Sequence, residues 1–596
     1  MNRTPEDCYK EQIGEHHSLL QQLEIKHTRF GLLKFVIVAC LLASVLLYWQ
    51  KHIYVTAYFI PFGVFLYLFL SRRHQLVLDK IALEKEIIAI NKQELQFLER
   101  KSVPFEDGAH FSDATHPYSN DLDIFGTSSL FQFINRTVTF RGGSLLANIL
   151  MSTHPKEVIL RRQEGIKELS KQLVWRQKFA ALARICRDNE QTFAYLKKWT
   201  ERTPKKLHVA VQLGSFVLPI GLLLSLALLF GLKIGLFGKI AMAIFFANLS
   251  LLYKVLPKIK QEIFEGAQIE DITLQYGLLM KEIEEAAFTS PILNELKSEL
   301  LSEHKNASDS IAQLSKLFGN LDNLGNVLGV TLMNGLYQHH VHVLRYFWKW
   351  HEKHAQKLLQ WIEVLATFEA LSSFANISFN NPEFTFPEIS EVAKVSFTDL
   401  GHPMIAKEKR ICNSIHFNHH KFVILTGSNM SGKSTFLRTL GVNMVLAGVG
   451  APICATVAVY TPMPLLASMR QSDSLADSES YFFAEVKRLK FIVEQLNEQP
   501  HFILLDEILR GTNSDDKRSG TVGVIHKIVK KNVFGAIATH DLEVCNTTNE
   551  YPEILANKCF EVDIRQDELH FDYTLRDGIC TSKSATFLMK KMGIIA

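Results

Sequence analysis

The most constraining stretch of the chain is Thr426-Gly427-Ser428-Asn429-Met430-Ser431-Gly432-Lys433-Ser434-Thr435. A short apolar run, Phe422 to Leu425, leads into it, and Phe436-Leu437-Arg438 reads as the opening of a helix. In that setting Gly427-x4-Gly432-Lys433-Ser434 has the form of a phosphate-binding loop. Its glycines let consecutive backbone N–H groups point at one anion. The helix N-terminus adds partial positive charge, and Lys433 reaches the outer phosphates. Gly427, Ser428, Asn429, Met430, Ser431, Gly432, Lys433, Ser434 and Thr435 are therefore the candidate nucleotide-binding residues, with the Ser434 hydroxyl assigned to Mg²⁺. The bland alternative, a glycine-bearing turn, does not account for the flanking strand and helix.

Two further strands end in residues suited to the same chemistry. Phe502-Ile503-Leu504-Leu505 is an apolar run ending in Asp506-Glu507. Asp506 there holds Mg²⁺ through its water shell, and Glu507 polarises an attacking water. Phosphoryl transfer asks little more of a protein than such positioning and charge neutralisation. Val533 to Ala538 ends at Thr539-His540-Asp541. A histidine at the carboxyl end of a neighbouring parallel strand faces the same crevice and can sense the γ-phosphate.

The rest of the chain changes the expected address. With 596 residues, several domains are expected. Lys plus Arg (65) nearly balance Asp plus Glu (61), so net charge gives no argument for a nucleic-acid surface. The eight cysteines lack CxxC or CxH spacing, which argues against a metal site and for a reducing compartment. Phe30 to Trp49 is apolar except for Lys34, and Ile53 to Leu70 carries no charge. Val209 to Leu232 is also uncharged, and Ile234 to Tyr253 carries only Lys239. Each run approaches the ~20 residues that cross a hydrocarbon core as a helix. Lys26, Arg29 and Arg72-Arg73 flank the first pair; Lys205-Lys206, Lys254, Lys258 and Lys260 flank the second. Four transmembrane helices in two hairpins follow, with both ends of each in the cytoplasm.

The expected organisation is then a cytosolic segment 1–29, a hairpin over 30–70, and a charged helix with linker over 74–122. A helical core over 123–206 is followed by a second hairpin over 209–253. A second helical part covers 255–385, and an α/β domain covers 386–596. Val77, Ile81, Ile88, Leu95 and Leu98 give the charged helix one apolar seam, which either pairs chains or lies on the next domain, the latter being the safer reading. His339, His340, His342, His351 and His354 have no matching Cys or carboxylate spacing and read as helix-surface and interfacial residues.

Taken together, these motifs resemble the MutS mismatch-repair ATPases. TGSNMSGKSTFLR looks like that family's phosphate loop, Asp506 to Thr512 like its carboxylate motif, and Ala538-Thr539-His540 like its switch histidine. Ser472 to Leu489 is similar to the signature segment that reaches a partner subunit's nucleotide site. That resemblance implies that Ser480 meets the γ-phosphate across a dimer, with Asn513 and Asp516 on the loop crossing the same interface. Phe131 to Leu169 resembles the start of the family's helical core, Ile362 to Ala375 its last lever helix, and Gly578-Ile579-Cys580 the end of its ATPase domain.

The implied fold is a P-loop NTPase domain of the ABC/MutS type, preceded by an all-α lever and core domain. The implied activity is ATP hydrolysis with Mg²⁺, with Lys433, Glu507 and His540 as the catalytic residues, in a homodimer joined through the ATPase domains. Double-stranded DNA is the further partner the resemblance implies, while the apolar runs add the lipid bilayer, expected to be the bacterial cytoplasmic membrane with the ATPase domain inside. Three departures stand out. A membrane hairpin occupies the place of a base-probing domain with its Phe-x-Glu wedge, which leaves mismatch recognition without a visible basis. Leu509 stands where the family has glycine, and Glu479 where its signature is small or basic. An ABC-like ATPase coupled to its membrane helices without DNA is the competing reading, and a nucleotide-gated scaffold is a third.

Overall fold

The computed structural model describes residues 3–51, 56–186, 188–203, 207–302, 305–322, 324, 327–470, 481–565, 568–581 and 594. The first part of the chain is almost wholly helical. Helix α1 (Pro5–Lys51) and helix α2 (Thr56–Leu98) lie against each other as a long hairpin. The polar start of the chain and the apolar run after it are thus one continuous helix. The seam on α2 is covered from within the chain: Val77, Ile81 and Ile88 pack on Leu20 and Leu23 of α1.

Short helices follow: α3 (Leu130–Ile134), α4 (Phe140–Leu150), α5 (Lys156–Lys171), α6 (Leu173–Cys186) and α7 (Glu190–Thr200). Ser129, Thr139 and Asn189 cap α3, α4 and α7 by accepting hydrogen bonds from the N–H groups of Gln132, Gly142 and Thr192. Helix α8 (Val209–Leu232) turns at Lys233 into α9 (Gly235–Glu285), a single helix of 51 residues. Helices α10 (Pro291–Leu300), α11 (Ala307–Asp322) and α12 (Val327–Tyr337) lead to α13 (His339–Asn380). With 42 residues, α13 is about 63 Å long and packs along α4, α5, α9 and α11.

Among the described residues, three helices rather than the expected four are long and apolar enough to cross a membrane: Pro5–Trp49, Val209–Leu232 and Gly235–Phe264. The run expected over Ile53–Leu70 falls short because residues 52–55 lie outside the described set. The helix that follows is uncharged only from Thr56 to Ser71, before Arg72-Arg73. On the three helices, side chains such as Phe35, Leu42, Val217, Leu223, Phe230 and Met242 are exposed.

The C-terminal part is mixed α/β. Strands β1 (Glu388–Ile389), β2 (Val395–Leu400), β3 (Asn413–Phe417) and later β5 (Val457–Tyr460) form a small sheet in the order β1-β5-β2-β3. Strand β4 (Phe422–Gly427) and helix α14 (Lys433–Val449) precede β5. After it come β6 (Leu465–Ser468), helix α15 (Tyr481–Gln495), β7 (His501–Asp506), helix α16 (Ser514–Val529), β8 (Val533–Ala538), β9 (Leu555–Arg565) and β10 (Glu568–Asp577). The large sheet runs β10-β9-β4-β8-β7-β6, parallel throughout except for the β9–β10 pair. Strands β4, β7 and β8 are buried at every position, as a parallel sheet covered on both faces requires. Alternate residues of β4 serve different cores. Phe422 and Ile424 face the cluster with Ile503, Leu505 and Ile537, whereas Val423 and Leu425 face the core shared with the helical part.

That shared core joins the two parts. The stretch read as a linker has one short helical turn, Ala109–Phe111, and its end is buried against the α/β part. Asp121 accepts hydrogen bonds from the N–H groups of Met469 and Arg470 and pairs with Arg488 at 2.9 Å. Asp123 pairs with Arg438 at 2.6 Å.

Candidate active site

The carboxyl ends of β4, β7 and β8 lie side by side, with Leu425 opposite Ala538 and Asp506 opposite Ala538 in register. In an open parallel sheet this edge is where a crevice opens. The loop after β4 needs positive φ at Met430 (67°) and at Gly432 (102°), the residue that caps α14. A Cβ on Gly432 would stand 3.0 Å from the Tyr573 ring, so glycine answers both a backbone and a space requirement there. Lys433 opens α14 and is nearly buried; its Nζ donates to the carbonyls of Gly427 (2.8 Å) and Ser428 (2.9 Å). Burial lowers the pKa of its ammonium, against the opposing pull of Glu507 and Asp506.

Asp506 ends β7. Burial raises its pKa, while a hydrogen bond with Ser434 and the charge of Arg510 lower it. Its Oδ1 is buried without a hydrogen-bond partner. A buried carboxylate with one free oxygen next to a hydroxyl is a donor set suited to a hard divalent cation. The residues present therefore fit Mg²⁺.

Glu507, at φ 46°, turns its carboxylate back toward the loop. Burial opposes its ionisation, but hydrogen bonding to His540 and the charges of His540, Arg510 and Lys433 overcome this and bring it down to about 2. Its Oε1 meets His540 Nε2, and its Oε2 lies 3.2 Å from Arg510. Glu507 is thus ionised at any working pH and held from both sides. The turn that carries it is fixed by Glu485 of α15, which accepts the N–H groups of Leu509 (2.7 Å) and Arg510 (3.1 Å).

The cleft over the loop has a volume of about 470 Å³. Of the residues singled out in the sequence, it brings together Asn429, Met430, Ser431, Gly432, Lys433, Ser434, Thr435, Glu507 and His540. Gly427 and Ser428 lie just behind, as acceptors of the Lys433 ammonium. Asn513 and Asp516 sit apart, exposed at the start of α16. There the Asn513 side chain caps the helix by accepting the Asp516 N–H at 2.8 Å and donates to the Asp516 carboxylate at 2.9 Å. Ser480 and Glu479 lie outside the described residues.

Several lining residues were not legible from the sequence. Tyr573 reaches the cleft because β10 slips register between Phe571 and Leu575. Asn413 holds that irregularity, donating to Tyr573 O at 3.0 Å and accepting Leu575 N at 2.7 Å. His402, whose pKa burial lowers to about 4, closes the far wall with Ile405 and Ile411. No local pattern announces Tyr573, Ile405 or Ile411, whereas Gly401-His402-Pro403 resembles the entry to the ATPase domain of MutS proteins.

Known proteins resemble the C-terminal part of the chain. Residues 423–594 match the family model "MutS domain V". The DNA mismatch repair protein MutS of Thermotoga sp. (strain RQ2) is 29% identical over 249 residues, which cover 41% of this chain and 31% of that protein. The same-named protein of Pseudothermotoga lettingae is 30% identical over 230 residues (37% of this chain, 28% of the relative). MutS protein homolog 4 of Homo sapiens is 26% identical over 243 residues (39% and 25%). The chain thus spans less than a third of the length of these curated relatives. The likeness rests on the C-terminal part of the chain, where residues 423–594 are similar to MutS domain V.

Proposed function

We propose that the chain is a membrane-anchored P-loop ATPase of MutS type, which binds and hydrolyses ATP between two copies and moves its long helices as it does so. The observation that carries this reading is the convergence of Lys433, Ser434, Glu507 and His540 on one cleft at the carboxyl edge of the large sheet, with buried Asp506 hydrogen-bonded to Ser434. The loop N–H groups and the positive end of α14 bind the β- and γ-phosphates, and Lys433 leaves the Gly427 and Ser428 carbonyls to join them. Ser434 and Asp506 hold Mg²⁺, which neutralises charge on the phosphates when bound. Glu507, kept ionised and aimed by His540 and Arg510, orients the attacking water and accepts its proton. Tyr573, His402 and Ile405 shape the rest of the cleft for the nucleoside. Ser480, Asn513 and Asp516 complete the site from the partner copy.

Membrane anchoring is supported by the apolar, exposed surfaces of the three long helices and by the basic residues at their ends. A role related to mismatch repair, with DNA as partner, is supported by the names of the relatives. Coupling of ATP to the membrane helices without DNA is favoured by one specific observation: α13 runs unbroken from the α8–α9 hairpin to the α/β part.

The test is phosphate release by the full chain in lipid nanodiscs. Lys433→Ala is expected to abolish nucleotide binding. Glu507→Gln is expected to retain it, to lower turnover at least about 100-fold, and to trap a nucleotide-loaded dimer. Parental turnover in Glu507→Gln would remove its assigned role. Salt-sensitive duplex binding with ATP present would support the DNA partner.

A further inference from the structure

Helix α12 is apolar along its length, yet its 11 residues are too few to cross a membrane. It packs on α8 and α9. Gly335 lies closer to the Phe245 ring of α9 than any Cβ would allow, and Asn248 of α9 donates to the Gly335 carbonyl at 2.8 Å. The opposite face is left open: Val327 is 72% exposed, Leu328 78% and Leu332 56%. On the two helices that α12 packs against, Met242 and Phe246 of α9 and Phe216, Val217 and Ile220 of α8 are exposed as well.

The way the chain leaves α12 is a second observation. At Gln338 the backbone turns left-handed (φ 55°), and α13 begins at the next residue. Such a break frees backbone polar groups that solvent would ordinarily satisfy. Here side chains of the protein take them. Asn334 Oδ1 accepts the His340 N–H at 3.0 Å, while its Nδ2 donates to Val330 O at 2.7 Å and to His340 Nδ1 at 2.8 Å. Gln338 Nε2 donates to Asn248 Oδ1 at 2.6 Å. Asn248, Asn334 and Gln338 are fully buried, and His340 nearly so. Backbone at membrane depth depends on such internal partners, and here they meet the His340 N–H and the Val330 carbonyl while Gln338 Oε1 and His340 Nε2 stay buried without a partner.

Charge fixes the level. Lys254, Lys258 and Lys260 follow Asn248 on α9, and Arg345 of α13 lies over the Phe216 ring at 4.7 Å. These cations sit just beyond the apolar surface, where anionic headgroups meet basic side chains.

We propose that α12 is a membrane-embedded helix, inserted into the cytosolic leaflet beside the α8–α9 hairpin with its open face against acyl chains, so that the first turn of α13 is fixed in the bilayer. The inference rests on the membrane-anchored reading and deepens it. The helix that ends at the ATPase domain thereby begins at a lipid-held corner, so lipid composition and ATP turnover are linked through one rigid rod.

The experiment is photolabelling of the full chain in nanodiscs of phosphatidylethanolamine and phosphatidylglycerol carrying a diazirine on the acyl chain, with labelled peptides mapped by mass spectrometry. Peptides from α8 report the anchoring itself, and peptides from α16 report background. Labelling of α12 at the α8 level is expected, with loss of α12 labelling but not α8 labelling in Leu328→Asp. Labelling of α8 with α12 at the α16 level would overturn the inference and leave the anchoring standing. Background labelling of both would overturn the anchoring and the inference together. Unchanged α12 labelling in Leu328→Asp would also overturn it, because a charge on a lipid-facing position opposes insertion.

Discussion

The hydroxyl of Tyr9 donates to Asn380 Oδ1 at 2.8 Å, joining the second turn of the first helix to the last residue of α13. Both lie in a buried polar group. The amides of Asn376 and Asn380 donate to the two oxygens of Glu94, Arg136 pairs with Glu94 at 2.5 Å, and Arg176 donates to Asn376 at 2.6 Å. Three helices, α1, α2 and α6, are thus latched to the end of the rod that leads into the α/β part. Tyr9→Phe keeps the ring and its edge contact with Phe379 but leaves Asn380 Oδ1 buried without its donor. A loss of about 1–2 kcal/mol is expected, read as a lower melting temperature of the nanodisc-embedded protein. An unchanged melting temperature would mean that the latch carries no net stability.

Glu369, about three-quarters of the way along α13, is buried and accepts the N–H groups of Val138 (2.8 Å) and Thr139 (3.2 Å) together with the Thr139 hydroxyl. Burial pushes its carboxyl up, the Thr139 hydroxyl and the two N–H groups pull it down, and Asp188 adds to the rise; the result is about 7. The folded protein therefore holds a proton that the unfolded chain releases near pH 4.5. Stability from this group is complete below that pH and is lost as pH rises through about 7, an effect of about 3 kcal/mol. Glu369→Gln is expected to flatten the fall in melting temperature between pH 5.5 and 8.5. An equally steep fall in the variant would assign the dependence elsewhere, with Asp188 the next candidate.

The strand-loop-helix from Phe422 to Leu437 was legible because each part of it is local: an apolar run, two glycines and a helix opening. The same holds for Asp506, Glu507 and His540, each placed by the strand that precedes it. Residues fixed by distant partners were not legible. Tyr573 owes its position to Asn413, 160 residues earlier, and α12 is too short for a spanning-helix criterion yet continuous in space with α8 and α9. The end of the stretch read as a linker lacks hydrophobic period, yet Tyr118 and Leu122 are buried because the α/β part closes over them.

The bond between His540 and Glu507 makes a prediction about pH. In the proposed role, ionised Glu507 takes a proton from the attacking water, so the rate is expected to fall as pH drops through its pKa. At about 2 that limb lies below any pH at which the fold survives. His540→Ala removes the partner that does most to offset burial, so the acid limb of kcat is expected to move up into the measurable range. Nucleotide affinity, which rests on the loop, is expected to hold. A variant with lower kcat but an unshifted acid limb would show that His540 acts on something other than Glu507.

Leu509 stands at φ 62°, a left-handed conformation that costs a branched residue roughly 1–2 kcal/mol. The cost is offset by burial of its side chain and by Glu485, whose two oxygens take the N–H groups of Leu509 and Arg510. Arg510 in turn donates through Nε to the Glu507 carbonyl at 2.9 Å and pairs with its carboxylate, so Glu485 positions Glu507 from α15. Glu485→Ala is expected to lower kcat by roughly tenfold or more, since hydrogen bonds to a charged acceptor contribute about 1.5–3 kcal/mol. KM for ATP should move little, because no loop residue is touched. Leu509→Gly in that background removes the backbone strain and is expected to restore part of kcat, which a merely destabilising loss of Glu485 would not allow. If the double variant is slower than Glu485→Ala, the Leu509 side chain rather than the shape of the turn is what the site needs.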